Sequence, residues 1–422
     1  MGDTFNLNVL TFKKDSYIIV EGKEDNRFFI VKSGKILLSR ENEVVTERDG
    51  MLLQAGDFFG VVAALSRHTH IETARCVTDA SVIAVPEKEI GSFIHHNTEV
   101  AMNIVTNFAE RMRYLNKAFT KRAINDATES EEAEHLFDIG QYYDKTGNLS
   151  HAFYAYRQYL KLCPKGARVP EAKERFEAVK QYAKAIPFTT DGNKRIYAAE
   201  TVLYAQGEPA SEMFVIQSGS IKISKIVNNN EVLLAVLKAG DIIGEMAILG
   251  SKPRSVTAVT AEPTCLISIS KENFANIVDT SPQIVGHLVE SLAERIWFIY
   301  RQLANTNLTD PIARMYDVLL IQLEKEKIPL EAAYAYNFDF GLKELISMTG
   351  IPEEKMERTV NKFTANPNIK IINDKVYIEQ IATLTKDANY YKSVDGRKKA
   401  FREAQETIPL EIPKIPKFGD ED

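Results

Sequence analysis

The feature that most constrains the fold of this chain is an internal repeat. Residues 27–39 (RFFIVKSGKILLS) recur as residues 212–224 (EMFVIQSGSIKIS). Several glycines and an Ala-Glu-Arg triplet recur with them, and every matching pair is separated by 184 or 185 residues. Chance similarity would not keep that spacing, so two homologous domains are predicted on either side of a middle segment. The repeated positions are Gly22, Gly34, Gly56, Gly60 and 109–111 in the first copy, and Gly207, Gly219, Gly240, Gly244 and 293–295 in the second.

Each copy is predicted to form a small antiparallel barrel or jelly roll that ends in a long helix. Strand-length runs rich in branched residues, such as 221–223 and 232–237, are separated by glycines that suit tight turns. The helix of the second copy is predicted over residues 282–304, because Ser281 and Pro282 favour a helix start and apolar residues follow at helical spacing.

The middle segment, residues 130–186, is predicted to be helical. Its pattern matches the spacing of a tetratricopeptide repeat, which predicts a helical hairpin. Such a hairpin serves either as a peptide-binding platform or as a rigid spacer, and a single repeat favours the spacer because it cannot bury its own face. The matching positions are Leu136, Ile139, Gly140, Tyr143, Ala152, Tyr156, Tyr159 and Pro164.

The composition excludes several classes of protein. The chain is 45% apolar and 26% charged with a net charge of −6, which is typical of globular chains and gives no general attraction for nucleic acid. Its three cysteines are too scattered for a disulfide framework or a metal site. The absence of an apolar leader and of a run of about 18 apolar residues predicts a cytoplasmic protein without a membrane segment. No nucleophile–base set or triphosphate-binding loop is recognisable, so an enzyme is not predicted.

The second copy carries the clearest candidate site. Its loop reads GEMAIL over residues 244–249 and PRSVTA over residues 253–258. A turn that opens at a glycine presents backbone N–H groups to an anion, and Arg254 adds a bidentate partner for a phosphate. Glu245 suits a neutral donor such as a sugar hydroxyl. A ribose that carries a phosphate would satisfy both residues.

This pair of motifs resembles the phosphate-binding cassette of cyclic nucleotide-binding domains, as in the catabolite activator protein family. The resemblance implies that Arg254 binds the cyclic phosphate and that Glu245 binds the ribose 2′-hydroxyl. It also implies a cradle and an apolar wall beside the base, formed by Gly244, Met246, Ala247, Ser255, Val256, Ile223 and Leu234. The predicted ligand is a cyclic nucleotide.

The base of that ligand is left open by the sequence. In the family, the long helix after the barrel places side chains on the base, and the alignment from Pro282 brings Tyr300 near those positions. A tyrosine there could stack on a purine or donate its hydroxyl. Equally, Trp297, Phe298 and Tyr300 could pack against a partner helix. Cyclic AMP is favoured, while cyclic GMP and a cyclic dinucleotide stay open.

The first copy departs from this pattern. Val61 stands where the family has the ribose-binding Glu, and Glu72 is aligned with the phosphate-binding Arg after a loop two residues longer. A carboxylate would repel a phosphate, so a degenerate pocket is predicted, although Arg67, Arg75, His68 or His70 could substitute as the cation. The helix of this copy, at residues 99–117, could pair with residues 282–304 in an intramolecular pseudo-dimer; a homodimer through 282–304 is the alternative.

Residues 308–382 are predicted to form a winged helix-turn-helix. They give a helix, a turn at Gly350, a second helix that opens at Pro352, and a hairpin with Asn373-Asp374 at its turn. The segment resembles the DNA-binding domain attached at this position in the same family, with Glu353 where the family has an Arg. The candidate DNA-contacting residues are Glu354, Lys355, Arg358 and Lys362.

The charge of that segment supports DNA binding only weakly. Residues 310–382 contain 12 acidic and 9 basic residues, a net charge of −3. A winged helix that has lost DNA contact and binds proteins is therefore an equal alternative. Residues 383–422 are predicted to be a disordered tail.

Together these patterns predict an α+β multidomain protein. Its domains are expected at residues 1–125 (barrel with a degenerate pocket), 130–186 (helical hairpin), 187–305 (barrel with an intact cassette) and 308–382 (winged helix-turn-helix). The predicted function is that of a cytosolic cyclic nucleotide receptor that regulates transcription. The alternative is a ligand-gated scaffold that binds other proteins, for instance through the helical hairpin.

Overall fold

Both copies of the repeat fold as antiparallel β-sandwiches in a computed structural model, which describes residues 8–40, 51–123, 132–182, 189–280, 282–351 and 353–406. In the first copy, one sheet has the order β1-β8-β3-β6 and the other β2-β7-β4-β5. The elements are β1 (Asn8–Phe12), β2 (Tyr17–Ile19), β3 (Arg27–Ser33), β4 (Ile36–Ser39), β5 (Met51–Leu53), β6 (Phe58–Phe59), α1 (Val61–Ser66), β7 (Thr73–Cys76), β8 (Ala80–Pro86), α2 (Glu87–His96) and α3 (Thr98–Ala123).

The core of this first barrel lies between its two sheets. Phe29, Val31 and Val82 of one sheet pack with Ile36 and Ala74 of the other. Val31, Ala74 and Val82 alternate with more exposed neighbours along their strands, as expected when one face of each sheet is buried.

A helical segment follows, with α4 (His135–Lys145), α5 (Leu149–Leu162), α6 (Val169–Val179) and a short 3-10 helix (Lys180–Tyr182). Its core includes Tyr156 and Tyr159 and extends to Ala205 and Ile226 of the second barrel. His135 Nε2 lies 2.7 Å from the carbonyl oxygen of Ile226. The hairpin therefore completes its core on the second barrel, which agrees with the spacer interpretation; its tetratricopeptide character stays a prediction.

The second barrel repeats the architecture with sheets ordered β15-β12-β17-β10-β9 and β11-β16-β13-β14. Its elements are β9 (Thr189–Asp191), β10 (Lys194–Tyr197), β11 (Val202–Tyr204), β12 (Glu212–Ser218), β13 (Ser220–Val227), β14 (Asn230–Lys238), β15 (Ile242–Ile243), α7 (Glu245–Leu249), β16 (Thr257–Thr260), β17 (Thr264–Ser270), α8 (Lys271–Thr280) and α9 (Pro282–Thr306). The α+β class and the two antiparallel sheet domains are thus confirmed. Ser281, predicted as the cap of α9, lies outside the described residues.

The long helices α3 and α9 pack along each other, as the pseudo-dimer prediction expected. Each helix also contacts the loop that follows the short helix of the other barrel. Arg113 on α3 donates from Nη2 to the carbonyl oxygen of Pro253 at 3.0 Å. On the other side, the ring of Trp297 on α9 stacks on His68, with 3.8 Å between centroids. Arg113 and Trp297 are 184 residues apart, so the two contacts are counterparts in the repeat.

The remaining described residues form a second compact unit, to which α11 does not belong apart from its first residue, Leu342. A three-stranded sheet of order β18-β20-β19 accompanies α10, and α10 packs against both α12 and α13. The elements are α10 (Pro311–Lys325), β18 (Tyr336–Asn337), α11 (Leu342–Thr349), α12 (Glu353–Thr364), β19 (Ile369–Ile372), β20 (Lys375–Ile378) and α13 (Ile381–Glu406). The two helices, the turn at Gly350 and the β19–β20 hairpin occur in the predicted order; Pro352 lies outside the described residues, and the winged-helix assignment stays a prediction.

The prediction of disorder from residue 383 is wrong for α13, which continues to Glu406. Leu384 and Ala388 are fully buried, and the carboxylate of Asp395 accepts hydrogen bonds from the backbone N–H groups of Thr309 and Asp310. Basic residues late in the helix suggested a solvated tail, but these contacts to α10 and the residues before it are what order the segment. Residues 407–422 of the predicted tail lie outside the described part. None of the helices in the described ranges is both long and apolar enough to cross a membrane.

Candidate ligand-binding site in the second barrel

The cassette begins at a turn that only glycine adopts without strain. Gly244 has φ 80° and ψ 0°, in the left-handed region, and α7 starts directly after it. Strand β15, at the edge of its sheet, ends at Ile243, directly before this turn. This conformation brings the backbone of the turn beside the side chain of Arg254, ten residues later.

Arg254 is buried, with 4% of its surface exposed, and its guanidinium bonds to backbone atoms of the barrel. It donates from Nη1 to the carbonyl oxygen of Gly244 at 2.9 Å and from Nη2 to that of Glu212 at 2.6 Å. The guanidinium carbon lies 4.2 Å from the centroid of the Tyr204 ring, in cation–π contact. Arg254 Nε and the neighbouring Ser255 Oγ have no hydrogen-bond partner among the described residues.

Glu245 is fully buried, and its carboxylate is held by the long helix of the same barrel. Arg295 on α9 donates from Nη1 to Glu245 Oε1 at 2.6 Å and to the carbonyl oxygen of Ile242 at 3.2 Å. The second oxygen, Oε2, finds no partner in the part of the chain that is described. Because an unpaired buried carboxylate oxygen is costly, this atom is a strong acceptor for an incoming hydroxyl.

Arg295 was missed by the sequence analysis, although a signal for it was present. It is the last residue of the Ala-Glu-Arg triplet that both copies share, with Arg111 as its counterpart. The repeat drew attention to the triplet as a marker of homology, but not to its arginine as a partner of the cassette.

The space enclosed by the cassette is small, at about 10 Å³. It is lined by seven of the predicted residues and by three that were not predicted. The predicted ones are Ile223, Gly244, Met246, Ala247, Arg254, Ser255 and Val256; the others are Tyr204, Ile243 and Arg295. Leu234 is buried on β14 and does not line this space, whose described walls are those ten residues.

Tyr300 lies at the first barrel instead of beside the base position of the second. Its hydroxyl accepts hydrogen bonds from Arg111 Nη2 at 2.9 Å and Nε at 3.2 Å. The guanidinium of Arg40 lies 4.9 Å from the centroid of the Tyr300 ring. The reason is the pairing of α9 with α3, which directs this side of α9 toward the other barrel.

The alignment of Glu72 with Arg254 is wrong, because His70 occupies the corresponding position. The N–H of Gly22 donates to the carbonyl oxygen of His70 just as that of Gly207 donates to Arg254, both at 2.8 Å. The residue numbers differ by the repeat offset, so the two loops have equal length. An imidazole therefore replaces the guanidinium in the first barrel, and Glu72 is the counterpart of Val256.

His70 should make the first barrel sensitive to acid. It is 2% exposed, and burial lowers the pKa of its imidazole below the ordinary 6.5, although Asp25 and Glu72 act in the opposite direction. In the window just below about pH 6.5 the unfolded chain binds a proton that folded His70 resists, so stability falls as the pH drops through that window. We expect His70→Phe to flatten this part of the profile of unfolding temperature against pH, measured by calorimetry from pH 5 to 8. An unchanged slope would contradict the expectation.

The four candidate DNA-contacting side chains all lie exposed on α12: Glu354, Lys355, Arg358 and Lys362. The ammonium group of Lys362 lies 4.8 Å from the centroid of the Tyr391 ring on α13. The side chain of Glu353 is outside the described part. These residues therefore share an accessible helix, without a concentration of positive charge.

Comparison with known proteins identifies the barrels. The model of the cyclic nucleotide-binding domain matches residues 9–97 and 194–281. The CRP-like cAMP-activated global transcriptional regulator of Mycobacterium tuberculosis is 24% identical over 187 residues, which is 44% of this chain and 84% of the relative. The cyclic AMP receptor protein of Thermus thermophilus is 23% identical over 192 residues, or 45% of this chain and 86% of the relative.

A solved structure shows similarity of the same extent. The c-di-GMP responsive global regulator CLP of Xanthomonas campestris is 22% identical, covers 44% of this chain and 93% of its own, and gives a TM-score of 0.38. The family match falls on both barrels, so the chain contains two cyclic nucleotide-binding domains. The curated relatives that match it are Crp-type regulators, at 23–24% identity.

Proposed function

We propose that the second barrel binds a cyclic nucleotide, cyclic AMP in preference to cyclic GMP or a cyclic dinucleotide. The observation that carries the proposal is that three buried atoms of the cassette have no hydrogen-bond partner among the described residues: Arg254 Nε, Ser255 Oγ and Glu245 Oε2. Two are donors suited to a phosphate and one is an acceptor suited to a ribose hydroxyl. The preference for cyclic AMP rests on the names of the relatives, which include a cAMP-activated regulator and a cyclic AMP receptor protein.

Binding on this proposal requires Arg254 to exchange its present partners. The guanidinium now bonds two neutral carbonyl oxygens, those of Gly244 and Glu212. A phosphate is a charged acceptor that can take two parallel hydrogen bonds from the guanidinium, whereas each carbonyl oxygen is neutral, so a phosphate can displace the carbonyls. Since the enclosed space is about 10 Å³, the side chain has to swing aside as the ligand enters.

Arg295 would transmit the effect of ligand binding from the barrel to α9. This residue joins α9 to Glu245, the carboxylate that would receive the ribose. A ribose hydroxyl that donates a hydrogen bond to Glu245 changes the negative charge to which Arg295 is bound. The position of α9 with the lowest free energy changes as a result. The helix then relays the ligand state toward the C-terminal segment, and the chain acts as a cytoplasmic transcription regulator.

DNA binding is tested by a selection for bound sequences from a random duplex library, with and without cyclic AMP. The proposal expects one enriched sequence whose affinity changes at least tenfold with ligand. It also expects a charge-reversing Arg358→Glu, Lys362→Glu variant to lose the shift while it still binds cyclic AMP. No enrichment in either condition would overturn the DNA-binding output and leave the ligand-binding step standing.

The second candidate, a ligand-gated protein scaffold, is favoured by the net charge of residues 310–382. Glu354 stands beside Lys355 on the exposed face of α12, and residues 310–382 carry a net charge of −3. A segment with a net negative charge is poorly suited to bind the phosphate backbone of DNA. If the selection fails while cyclic AMP binds, this function takes the place of the first.

Helix pairing within one chain supports the intramolecular pseudo-dimer over the homodimer. Each barrel is contacted by the long helix of the other, so each chain already supplies both members of the pair. We expect light scattering to give the mass of a single chain, 47.5 kDa, with and without cyclic AMP. A ligand-independent dimer would contradict this arrangement.

A further inference from the structure

A turn at residues 205–208 of the second barrel lies between the helical segment and the cassette. On one side, Ala205 belongs to the core that α4, α5 and α6 form on this barrel. On the other side, the N–H of Gly207 donates to the carbonyl oxygen of Arg254, and the N–H of Arg254 donates to that of Glu208, both at 2.8 Å. Both backbone polar groups of Arg254 are therefore bonded to a turn that also packs against the helices.

The helical segment also approaches this turn with its backbone. Gly207 has φ 89°, in the left-handed region, and a Cβ atom there would lie 2.6 Å from the carbonyl oxygen of Glu132. Glycine permits both the conformation and the close approach. The chain that leads into α4 therefore lies directly against the turn.

The side chain of Glu208 joins the turn to α5. Its Oε1 accepts a hydrogen bond from the N–H of Ala205 at 2.8 Å, and its Oε2 accepts one from the hydroxyl of Tyr154 on α5 at 3.2 Å. Glu208 is buried, and burial raises the pKa of its carboxyl, while the N–H of Ala205 and the hydroxyl of Tyr154 act in the opposite direction. Because a buried carboxylate depends on such donors, removal of the Tyr154 hydroxyl disfavours the present position of the turn.

The first barrel, whose cavity of about 410 Å³ is larger than the space at the cassette, forms the same turn without a carboxylate. The N–H of Gly22 donates to the carbonyl oxygen of His70, and the N–H of His70 donates to that of Lys23, again at 2.8 Å. Lys23 stands at the position of Glu208, 185 residues earlier, and it is exposed. The turn itself therefore needs no buried acid, and the contact of Glu208 with Tyr154 occurs at the barrel that has the arginine of the cassette.

We propose that Tyr154 and Glu208 are positioning residues of the nucleotide site, through which the helical segment raises the affinity of the second barrel for its ligand. On this proposal neither side chain touches the ligand; they hold the turn, and the turn holds the backbone of Arg254. With its backbone fixed, Arg254 needs only a side-chain rotation to exchange its carbonyl partners for a phosphate, so less conformational entropy is lost on binding. This inference rests on the function proposed for the second barrel and gives the helical segment a role beyond that of a spacer.

The test is isothermal titration of the full chain with cyclic AMP, with Tyr154→Phe as the variant and Tyr142→Phe as its matched control. Tyr142 on α4 also donates its hydroxyl to a carboxylate of the second barrel, that of Glu231 at 3.4 Å, but Glu231 lies on β14 and not in the turn. We expect Tyr154→Phe to weaken binding about fivefold to tenfold, within the usual range of coupling between two sites, and Tyr142→Phe to stay within about twofold of the parent.

Two further measurements separate positioning from a general loss of stability. If Tyr154 acts through Arg254, Tyr154→Phe should change the affinity by less than about twofold once Arg254 is alanine, since substitutions that act through one another are not additive. Coupling is also reciprocal, so cyclic AMP should slow amide hydrogen exchange in α5 of the unmodified chain and leave the equivalent turn of the first barrel, residues 20–23, unchanged.

The inference is overturned if Tyr154→Phe binds cyclic AMP as tightly as the parent, or if the loss is as large in Tyr142→Phe. An equal loss with and without Arg254, or exchange in α5 that cyclic AMP leaves unaltered, would also overturn it. In each of these cases the parent still binds, and the function proposed for the second barrel stands. No binding by the parent would instead refute that function, and this inference with it.

Discussion

Replacing Arg254 by alanine should weaken the binding of cyclic AMP by about 100-fold. The guanidinium is the one buried cation of the cassette aimed at the glycine turn where the phosphate is expected. Loss of a buried, hydrogen-bonded charge partner costs about 2–5 kcal/mol, and about 2.7 kcal/mol corresponds to 100-fold. The measurement is isothermal titration of the whole chain, which for the parent should give one site per chain.

The repeat supplies a matched control for this substitution. His70→Ala changes the structurally equivalent residue of the first barrel and should leave both the affinity and the stoichiometry of cyclic AMP binding unaltered. Two sites per chain in the parent, or a loss of affinity in His70→Ala, would show that the first barrel binds the nucleotide as well. Unchanged binding by Arg254→Ala would refute the assignment of the phosphate site.

Adding one methyl group at Gly140 should destabilise the helical segment by about 1–3 kcal/mol, the usual cost of overpacking a tight core. Gly140 on α4 faces the ring of Tyr156 on α5, and a Cβ atom there would lie 2.5 Å from a ring carbon. Tyr156 is fully buried, so its ring has little room to withdraw. The readout for Gly140→Ala is the thermal unfolding midpoint, together with hydrogen-exchange protection of α4 and α5.

The same substitution at Gly286 should have the opposite sign. This glycine lies within α9, and a Cβ atom there meets no neighbour within 4 Å. Alanine is favoured over glycine in a helix by about 0.5–1 kcal/mol, so Gly286→Ala should raise the unfolding midpoint. A pair of variants that shift the midpoint in the same direction would mean that the close approach of α4 and α5 does not govern the stability of the segment.

The residues of the candidate site were predicted better in the second barrel than in the first. In the second, the cassette lies within fifteen residues of chain, so a contiguous motif was enough to indicate six of the ten described residues that line its space. In the first, the glycine spacing located the barrel, but the residue that replaces Arg254 was misassigned to Glu72. The alignment of Glu72 with Arg254 required two extra residues in the loop of the first barrel. The backbone hydrogen bonds of Gly22 and Gly207 show instead that His70 is equivalent to Arg254.

The same distinction applies to the helices. Apolar spacing placed α9 and suggested its pairing with α3, yet it could not say which side chains cross between the barrels. That depends on the rotation of one helix against the other, and the outcome puts Tyr300 on Arg111 of the first barrel. The helix α13 was missed for a related reason. Its order comes from contacts such as those of Asp395 to Thr309, a residue far away in sequence.

The sequence by itself therefore determined the repeat, the two barrels and the cassette residues, because these are set by local spacing along the chain. Only the tertiary structure decided that Arg254 donates hydrogen bonds to two carbonyl oxygens of its own barrel and that Arg295 pairs with Glu245. It also decided that the larger cavity belongs to the first barrel. Each of these depends on hydrogen bonds and packing between segments that lie far apart in sequence. Local propensity carries no information about such contacts, since they exist only once the sheets and helices have come together.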